Sequence, residues 1–364
     1  MKAYIFKYFL WFTLILVTAF AQAQEQSELT NTNRYKIAAI IPLSGEHAAM
    51  GKNMLGAMKL ALLDLKANNF DIVPIDSELE ENELLLQLAV NKLNAIIGPV
   101  FAKDARKIMP VLKSTDTCVI SFSNDRDLSS PACLVLLGFM PEESINKVVG
   151  YAAHQNYQIN ALLPDSKYGH ILATSLLIMS NHKLIDLGEI LFYKDGSNPD
   201  PNISSLFARL NSTEGKTNKA VLIPENIIMP QVIPHLSGSK IKVLGSSQFE
   251  DEKLLKAPEL QGSWFASAPR KYRDRFEKKF TASFDVIPLK ISSLAYDAIA
   301  FSYAVVSSAN GGFKHDSVMN PAGFYGITGA FRFMPDGSNQ RQLSVFEINA
   351  GKYSEIEPAK VDFN

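Results

Sequence analysis

Residues 36–66 read KIAAIIPLSGEHAAMGKNMLGAMKLALLDLK. The stretch Ile37–Ile41 is apolar throughout, as expected for a strand buried on both faces of a parallel sheet. It stops at Pro42-Leu43-Ser44-Gly45, and a helix is expected from about Ala48 to Lys66. Met50, Met54, Ala57, Met58, Ala61 and Leu65 fall on one stripe of that helix. Strand, turn and amphipathic helix form half of a βαβ unit, and the unit repeats downstream. Strands are expected at 71–75, 95–97 and 118–122, with helices at 82–93 and 103–113 between them. Parallel neighbours need such crossover helices, so these segments predict a doubly wound sheet.

A strand at 134–138 leads into Phe139-Met140-Pro141-Glu142-Glu143, and the alternation then starts again. Helices at 144–154, 170–181, 203–210, 227–236 and 251–254 alternate with strands at 159–163, 185–192, 219–223 and 242–244. Ser263–Ala266 reads as a return strand before helices at 272–283 and 292–308. The tail switches to short strands at 330–333, 343–348 and 353–356, with a turn at Asp336-Gly337. The expected fold class is α/β, with two doubly wound lobes.

The first residues predict export. Lys2 and Lys7 flank an uncharged apolar run, Tyr8 to Phe20, which ends in Ala19-Phe20-Ala21 and Ala21-Gln22-Ala23. A positive start, a short apolar core and small residues at the cut describe a cleavable signal peptide over 1–23. The run is shorter than the ~20 apolar residues of a spanning helix. No cysteine stands near the cut, which argues against a lipid anchor. Residues 24–33 are expected to be a disordered lead-in, and the mature protein to be free in the periplasm, not membrane-embedded. The remainder is long enough for two domains of ~150 residues.

The net charge is −1, so nucleic-acid binding by phosphate neutralisation has no electrostatic support. The basic cluster at 270–279 is interrupted by Asp274 and Glu277. With Tyr272, Phe276 and Phe280 recurring every four residues, it reads as a surface helix with a solvated face. Outside the cytoplasm the two cysteines, Cys118 and Cys133, would form a disulfide, the alternative being two buried thiols. No nucleophile elbow, zinc-protease motif or phosphate-binding loop occurs, and the six histidines stand apart without metal-ligand spacing. Acid pairs such as Glu142-Glu143 and Glu250-Asp251 occupy helix starts, where they favour the macrodipole. The expectation is a non-enzyme with no cofactor and no metal.

Several segments, in this order, resemble the type I periplasmic binding proteins, the leucine-binding-like proteins of ABC importers. They are IIPLSG at 40–45, AAMGKNMLGAMKLAL at 48–62, AIIGPV at 95–100, VISFSND at 119–125, LLGFMPEE at 136–143, LLPDSKYG at 162–169 and SLAYDAIAF at 293–301. With GAFRFMPDG at 329–337, the chain also resembles a subgroup, the penicillin-binding-protein activators. The resemblance implies three crossovers between lobes, lobe one being 34–139 plus 264–322 and lobe two 140–263 plus 323–364. It implies a small polar solute as ligand and an ABC permease as partner, or alternatively a penicillin-binding protein activated by contact. Activators of the second kind carry a lipid-anchor cysteine and, in some bacteria, a helical-repeat part.

Open α/β sheets bind ligands beyond the C-terminal ends of their strands. The loops there offer Ser44, Gly98, Ser121, Ser123 and Asn124 in lobe one, and Tyr168, Glu225 and Ser247 in lobe two. Hydroxyls and amides suit a small polar ligand, although serines such as Ser44 and Ser166 stand equally well as helix caps. Tyr168 would cover an apolar part of the solute. Amino-acid binders of the family hold the carboxylate with hydroxyls where this chain has Val100, Phe101 and Ala102. Asp125 takes a further hydroxyl position and would repel a carboxylate. The acid expected to pair with an ammonium falls near Ser247, with Glu225 or Glu250 as substitutes. These departures put a free amino acid in doubt as the solute.

Overall fold

The computed structural model describes residues 34–112, 118–128, 134–194, 200–212, 218–308, 313 and 315–363. The expected leader and lead-in, 1–33, lie outside the described residues, as does Cys133. The apolar run at the head of the chain forms β1 (Tyr35–Ile41), whose Ile37 to Ile41 are at most 1% exposed. It pairs in parallel with β2 (Phe70–Asp76) and β3 (Ala95–Ile97), and the sheet continues through β4 (Val119–Ser121) to β5 (Leu134–Leu136). One face is covered by α1 (Ala48–Leu65), whose Met54, Ala57, Met58 and Ala61 are fully buried. The other face takes α2 (Glu81–Val90) and α3 (Ala102–Leu112). Burial on both faces explains the near-continuous apolar strands. Each fully buried Ile contributes roughly 1.5–3 kcal/mol.

The second lobe is built around seven strands. After α4 (Pro141–His154) come β6 (Tyr157–Pro164), α5 (Lys167–Asn181), β7 (Leu187–Tyr193) and α6 (Pro201–Ser212). Then follow β8 (Asn218–Leu222), α7 (Met229–Leu236), β9 (Lys242–Gly245) and the short α8 (Glu252–Lys256). β10 (Trp264–Ser267) lies parallel to β9 and antiparallel to β14 (Ser344–Asn349), which pairs with β15 (Lys352–Glu357). Between β10 and β14 the chain returns to lobe one as α9 (Arg270–Phe284), α10 (Lys290–Ser307) and α11 (His315–Val318). It then forms a three-stranded sheet of β11 (Phe324–Gly326), β12 (Gly329–Phe333) and β13 (Asn339–Arg341).

Two boundaries differ from the expected division. Trp264–Ser267, placed in lobe one from sequence, belongs to the sheet of lobe two, because its hydrogen-bonding partners are β9 and β14. Residues 324–341, placed in lobe two, pack on lobe one through Phe324, Phe331 and Phe333, which meet Phe301 of α10. The three passages between lobes therefore fall at about 137–141, 268–270 and 342–343.

The first and third passages are pinned side by side. Asn339 Nδ2 donates to the carbonyls of Leu136 and Gly138 at 2.9 and 2.7 Å. Arg341 is buried, stacks on Phe139, and donates to Leu137 O at 2.6 Å and Thr328 Oγ1 at 3.0 Å. Burial lowers its guanidinium to about 10, against the pull of Asp297 and Glu143. Asp297 accepts the backbone N–H groups of Ile327 and Thr328. Its burial raises the carboxyl, more than those hydrogen bonds lower it.

Candidate functional site

Where the lobes face each other, a cleft of ≈ 430 Å³ opens at the C-terminal ends of the strands. That is within the range of small-molecule sites. Lobe one supplies Val100, Phe101, Phe122, Ser123 and Asn124, and the first passage supplies Gly138, Phe139 and Met140. Lobe two adds Glu143 and Ser144 from α4, Ser247, and Ala266 and Ser267 from β10. Arg273 of α9 and Lys290 and Ser293 of α10 close the wall from the lobe-one side.

Three of the eight expected ligand residues stand on this wall: Ser123, Asn124 and Ser247. The other five do not line it. Gly98 has φ +97°, and a Cβ there would sit 2.0 Å from the carbonyl oxygen of Ile40, so glycine is needed for strand packing. Ser121 is fully buried; its hydroxyl donates to Pro99 O at 2.9 Å and accepts from Ser123 N at 3.1 Å. The Ser44 hydroxyl bonds to Asp76 instead of capping α1, whose N-cap is His47. Ser166 does cap α5, accepting from Gly169 N. Tyr168 is half-buried and packs against the core of lobe two, where burial and then the charge of Glu225 raise its phenol far above the ordinary range. Glu225 accepts a 2.6 Å hydrogen bond from the Tyr193 hydroxyl.

Asp125 is also redirected. It pairs with Arg106 at 3.1 Å and with Lys167 of lobe two at 3.3 Å. Burial alone would raise its carboxyl, but the Asp127 N–H and these cations hold it below the usual range. The repulsion expected from Asp125 is thus neutralised. Lys167 also reaches Asp127 at 2.7 Å, so this pair joins the lobes at the surface. Pairs so exposed contribute ~0–1 kcal/mol.

Of the deeper charges, Arg273 and Lys290 were missed in the sequence, where Glu250 was named only as a substitute partner for an ammonium. Glu250, on the 3-10 turn Ser247–Glu250, accepts from Ser267 Oγ at 2.6 Å and Arg273 Nη2 at 2.9 Å through one oxygen. Its second oxygen meets Lys290 Nζ at 3.2 Å, and Lys290 also donates to Ser247 O at 2.9 Å. Burial would raise the Glu250 carboxyl, but Arg273 first and Lys290 next lower it. Since Lys290 belongs to lobe one and Glu250 to lobe two, this cluster joins the lobes beside the cleft. Arg273 and Glu250 are its buried pair, and removing either strands the other's charge, at ~3–5 kcal/mol; Lys290 is exposed and contributes less.

Arg273 corrects the reading of the basic cluster as a solvated face: it is 7% exposed. It falls three residues before Phe276 and seven before Phe280, on the buried side of α9. A cation in register with an apolar stripe was the available signal. Glu143, read as a helix-start acid, faces the cleft, accepts from Arg341 N at 2.9 Å, and is pushed up to about 7 by burial. Cys118 is fully buried and disulfide-bonded.

No family model matches the chain. Among curated proteins it is similar to the uncharacterized protein RP748 of Rickettsia prowazekii (strain Madrid E), at 24% identity over 230 residues. That match spans 60% of this chain and 61% of the relative. A Rhodospirillum rubrum structure described as a branched-chain amino acid ABC transporter superposes with TM-score 0.75 at 16% identity. It covers 89% of this chain and 100% of that one. LpoA of Haemophilus influenzae superposes with TM-score 0.67 at 13% identity, over 90% of this chain and 59% of LpoA. The chain has the two-lobed type I periplasmic binding protein fold. No helix among the described residues is long and apolar enough to cross a membrane.

Proposed function

We propose that this chain is a periplasmic solute receptor whose lobes close on a small molecule and present it to an ABC-type permease. The observation that carries this reading is the cleft of ≈ 430 Å³ walled by both lobes, at the strand ends where such sheets bind ligands. The walls offer hydroxyls and an amide, from Ser123, Asn124, Ser144 and Ser247, on a mostly apolar lining. Such a surface orients and shelters a solute; no nucleophile paired with a base stands among these residues, so the reading is of binding without chemistry. The fold of the Rhodospirillum rubrum protein supports the assignment by analogy.

A second reading is a non-enzymatic activator of a penicillin-binding protein. One observation favours it: Lys290 joins the lobes with the chain's own cation, so closure needs no solute. The likeness to LpoA points the same way. A thermal-shift screen of the refolded chain separates the two. The panel holds amino acids, organic acids, amides, sugars, short peptides and peptidoglycan fragments. A ligand at 100 times its Kd adds ~2.7 kcal/mol, a rise of several degrees, and Ser123→Ala should shrink that rise, beyond the drop in the unliganded midpoint from losing the hydrogen bond its hydroxyl accepts from Asp125 N at 3.1 Å. A flat response across the panel would overturn the receptor reading and send the search to crosslinking with a cell-wall synthase.

A further inference from the structure

We propose that the loop between α9 and α10 is a peripheral membrane-contact site, its apolar side chains entering the surface of an anionic bilayer while Lys52, Lys59 and Lys278 meet the headgroups. The contact goes beyond the receptor reading and stands whether or not the cleft holds a solute.

Four large apolar side chains, Phe284, Val286, Ile287 and Leu289, stand exposed within six consecutive residues, and Ile287 is 81% exposed. No other stretch of that length among the described residues exposes more than two. Apolar residues scattered singly over a surface are ordinary, whereas a cluster marks an interaction site.

The loop is pinned at its root. The Phe284 ring packs on Phe280, 4.7 Å between centroids, and against Gly56 of α1, where a Cβ would stand 3.4 Å from it. Leu289 N donates to Asn53 Oδ1 at 2.9 Å, and Leu289 O accepts from Ser292 N at 2.9 Å. Asp285 N donates to Thr281 O at 2.9 Å, and Pro288 has no N–H. These backbone groups need no water, which contact with lipid requires.

Lysines frame the apolar tip. Lys52 and Lys59 lie one turn to either side of Gly56, on the face of α1 where Phe284 packs. Lys278 stands two turns before Asp285 on the same side of α9. All three are exposed, and among the described residues none has an acidic partner. Lys279 is spent on Asp64, and Asp285 is the one acid of residues 278–290. An apolar tip in a positive frame fits the bilayer interface, where acyl chains lie beneath a plane of phosphates that lysine stems can reach. A protein groove would need an acid fixed opposite each lysine. Lys290, Ile291, Ser293 and Leu294, next along the chain, line the cleft, so the contact brings the cleft mouth to the membrane.

The test is flotation of the mature chain, residues 24–364, with two kinds of vesicle. One holds phosphatidylglycerol and phosphatidylcholine in equal parts, the other phosphatidylcholine alone. Omitting the apolar leader keeps it from binding the vesicles itself. The chain should bind the anionic vesicles at least about tenfold more tightly than the neutral ones. Raising salt from about 50 to about 500 mM should release it. Ile287→Glu should weaken binding at least about tenfold, and Lys52→Gln combined with Lys59→Gln about twentyfold on anionic vesicles only. These side chains are exposed, so the variants should melt with the parent. A chain that floats with neither vesicle would overturn the proposal and leave the loop to a protein partner. Equal binding to both vesicles, or binding indifferent to Ile287→Glu or to the lysine pair, would overturn it as well. None of these results bears on the solute screen, so the receptor reading stands or falls separately.

Discussion

Replacing Glu143 with Gln isolates the cost of a charged carboxylate in the cleft wall. Glu143 accepts the Arg341 N–H at 2.9 Å, and burial raises its carboxyl from 4.5 to about 7, against the nearby Arg341 charge. A carboxyl raised in the fold favours the protonated form. Its contribution to stability is therefore fully present below the unfolded value and is lost as pH rises through about 7. The interval from 4.5 to about 7 corresponds to about 3 kcal/mol. Glutamine keeps an acceptor for Arg341 N and has no charge to bury, so its contribution should not change with pH. Urea unfolding of both proteins between about pH 5 and about pH 9 reads the difference directly. The parent should lose about 2.5 kcal/mol relative to Glu143→Gln across that window, most of it between about pH 5 and about pH 6.5, and level off above about pH 7.5. Groups shared by both chains, the six histidines included, cancel in the comparison. A stability difference that stays constant across the range would refute the reasoning. So would a variant that loses stability in parallel with the parent.

Two further outcomes test structural assignments. Gly98→Ala should cost at least about 2 kcal/mol, since the backbone is left-handed and the new methyl group would overlap Ile40 O; a midpoint within a degree of the parent would return Gly98 to the list of ligand contacts. Reduction of the Cys118 disulfide, for which the sequence expects Cys133 as partner, should lower stability by ~3 kcal/mol. Unfolding with and without reductant measures it, and alkylation followed by intact mass should find no free thiol before reduction.

The sequence by itself determined the order of the elements and the two-lobed α/β class. Those properties are written locally: the short, β-branched apolar run Ile37–Ile41, stopped by Pro42 and Gly45, suits a strand covered on both faces, and the methionine stripe of α1 suits a helix packed on that sheet. Sheet membership was not legible in the same way. Trp264–Ser267 is apolar enough for either lobe, and its place was decided by pairing with Ser344–Glu347, some eighty residues on. The phenylalanines of residues 324–333 likewise signal burial without saying against which core. The site was decided almost wholly in three dimensions. Ser123, Asn124 and Ser247 could be named because strand ends face the cleft in this class of sheet. Tyr168 and Glu225 occupy similar loops but turn into lobe two, and Asp125 is taken up by Arg106 and Lys167. Arg273, Lys290 and Glu143 acquire their meaning only from counter-charges and burial supplied by distant segments. A charge in a sequence has a sign, but whether it is spent or available depends on the partners that folding brings within about 4 Å.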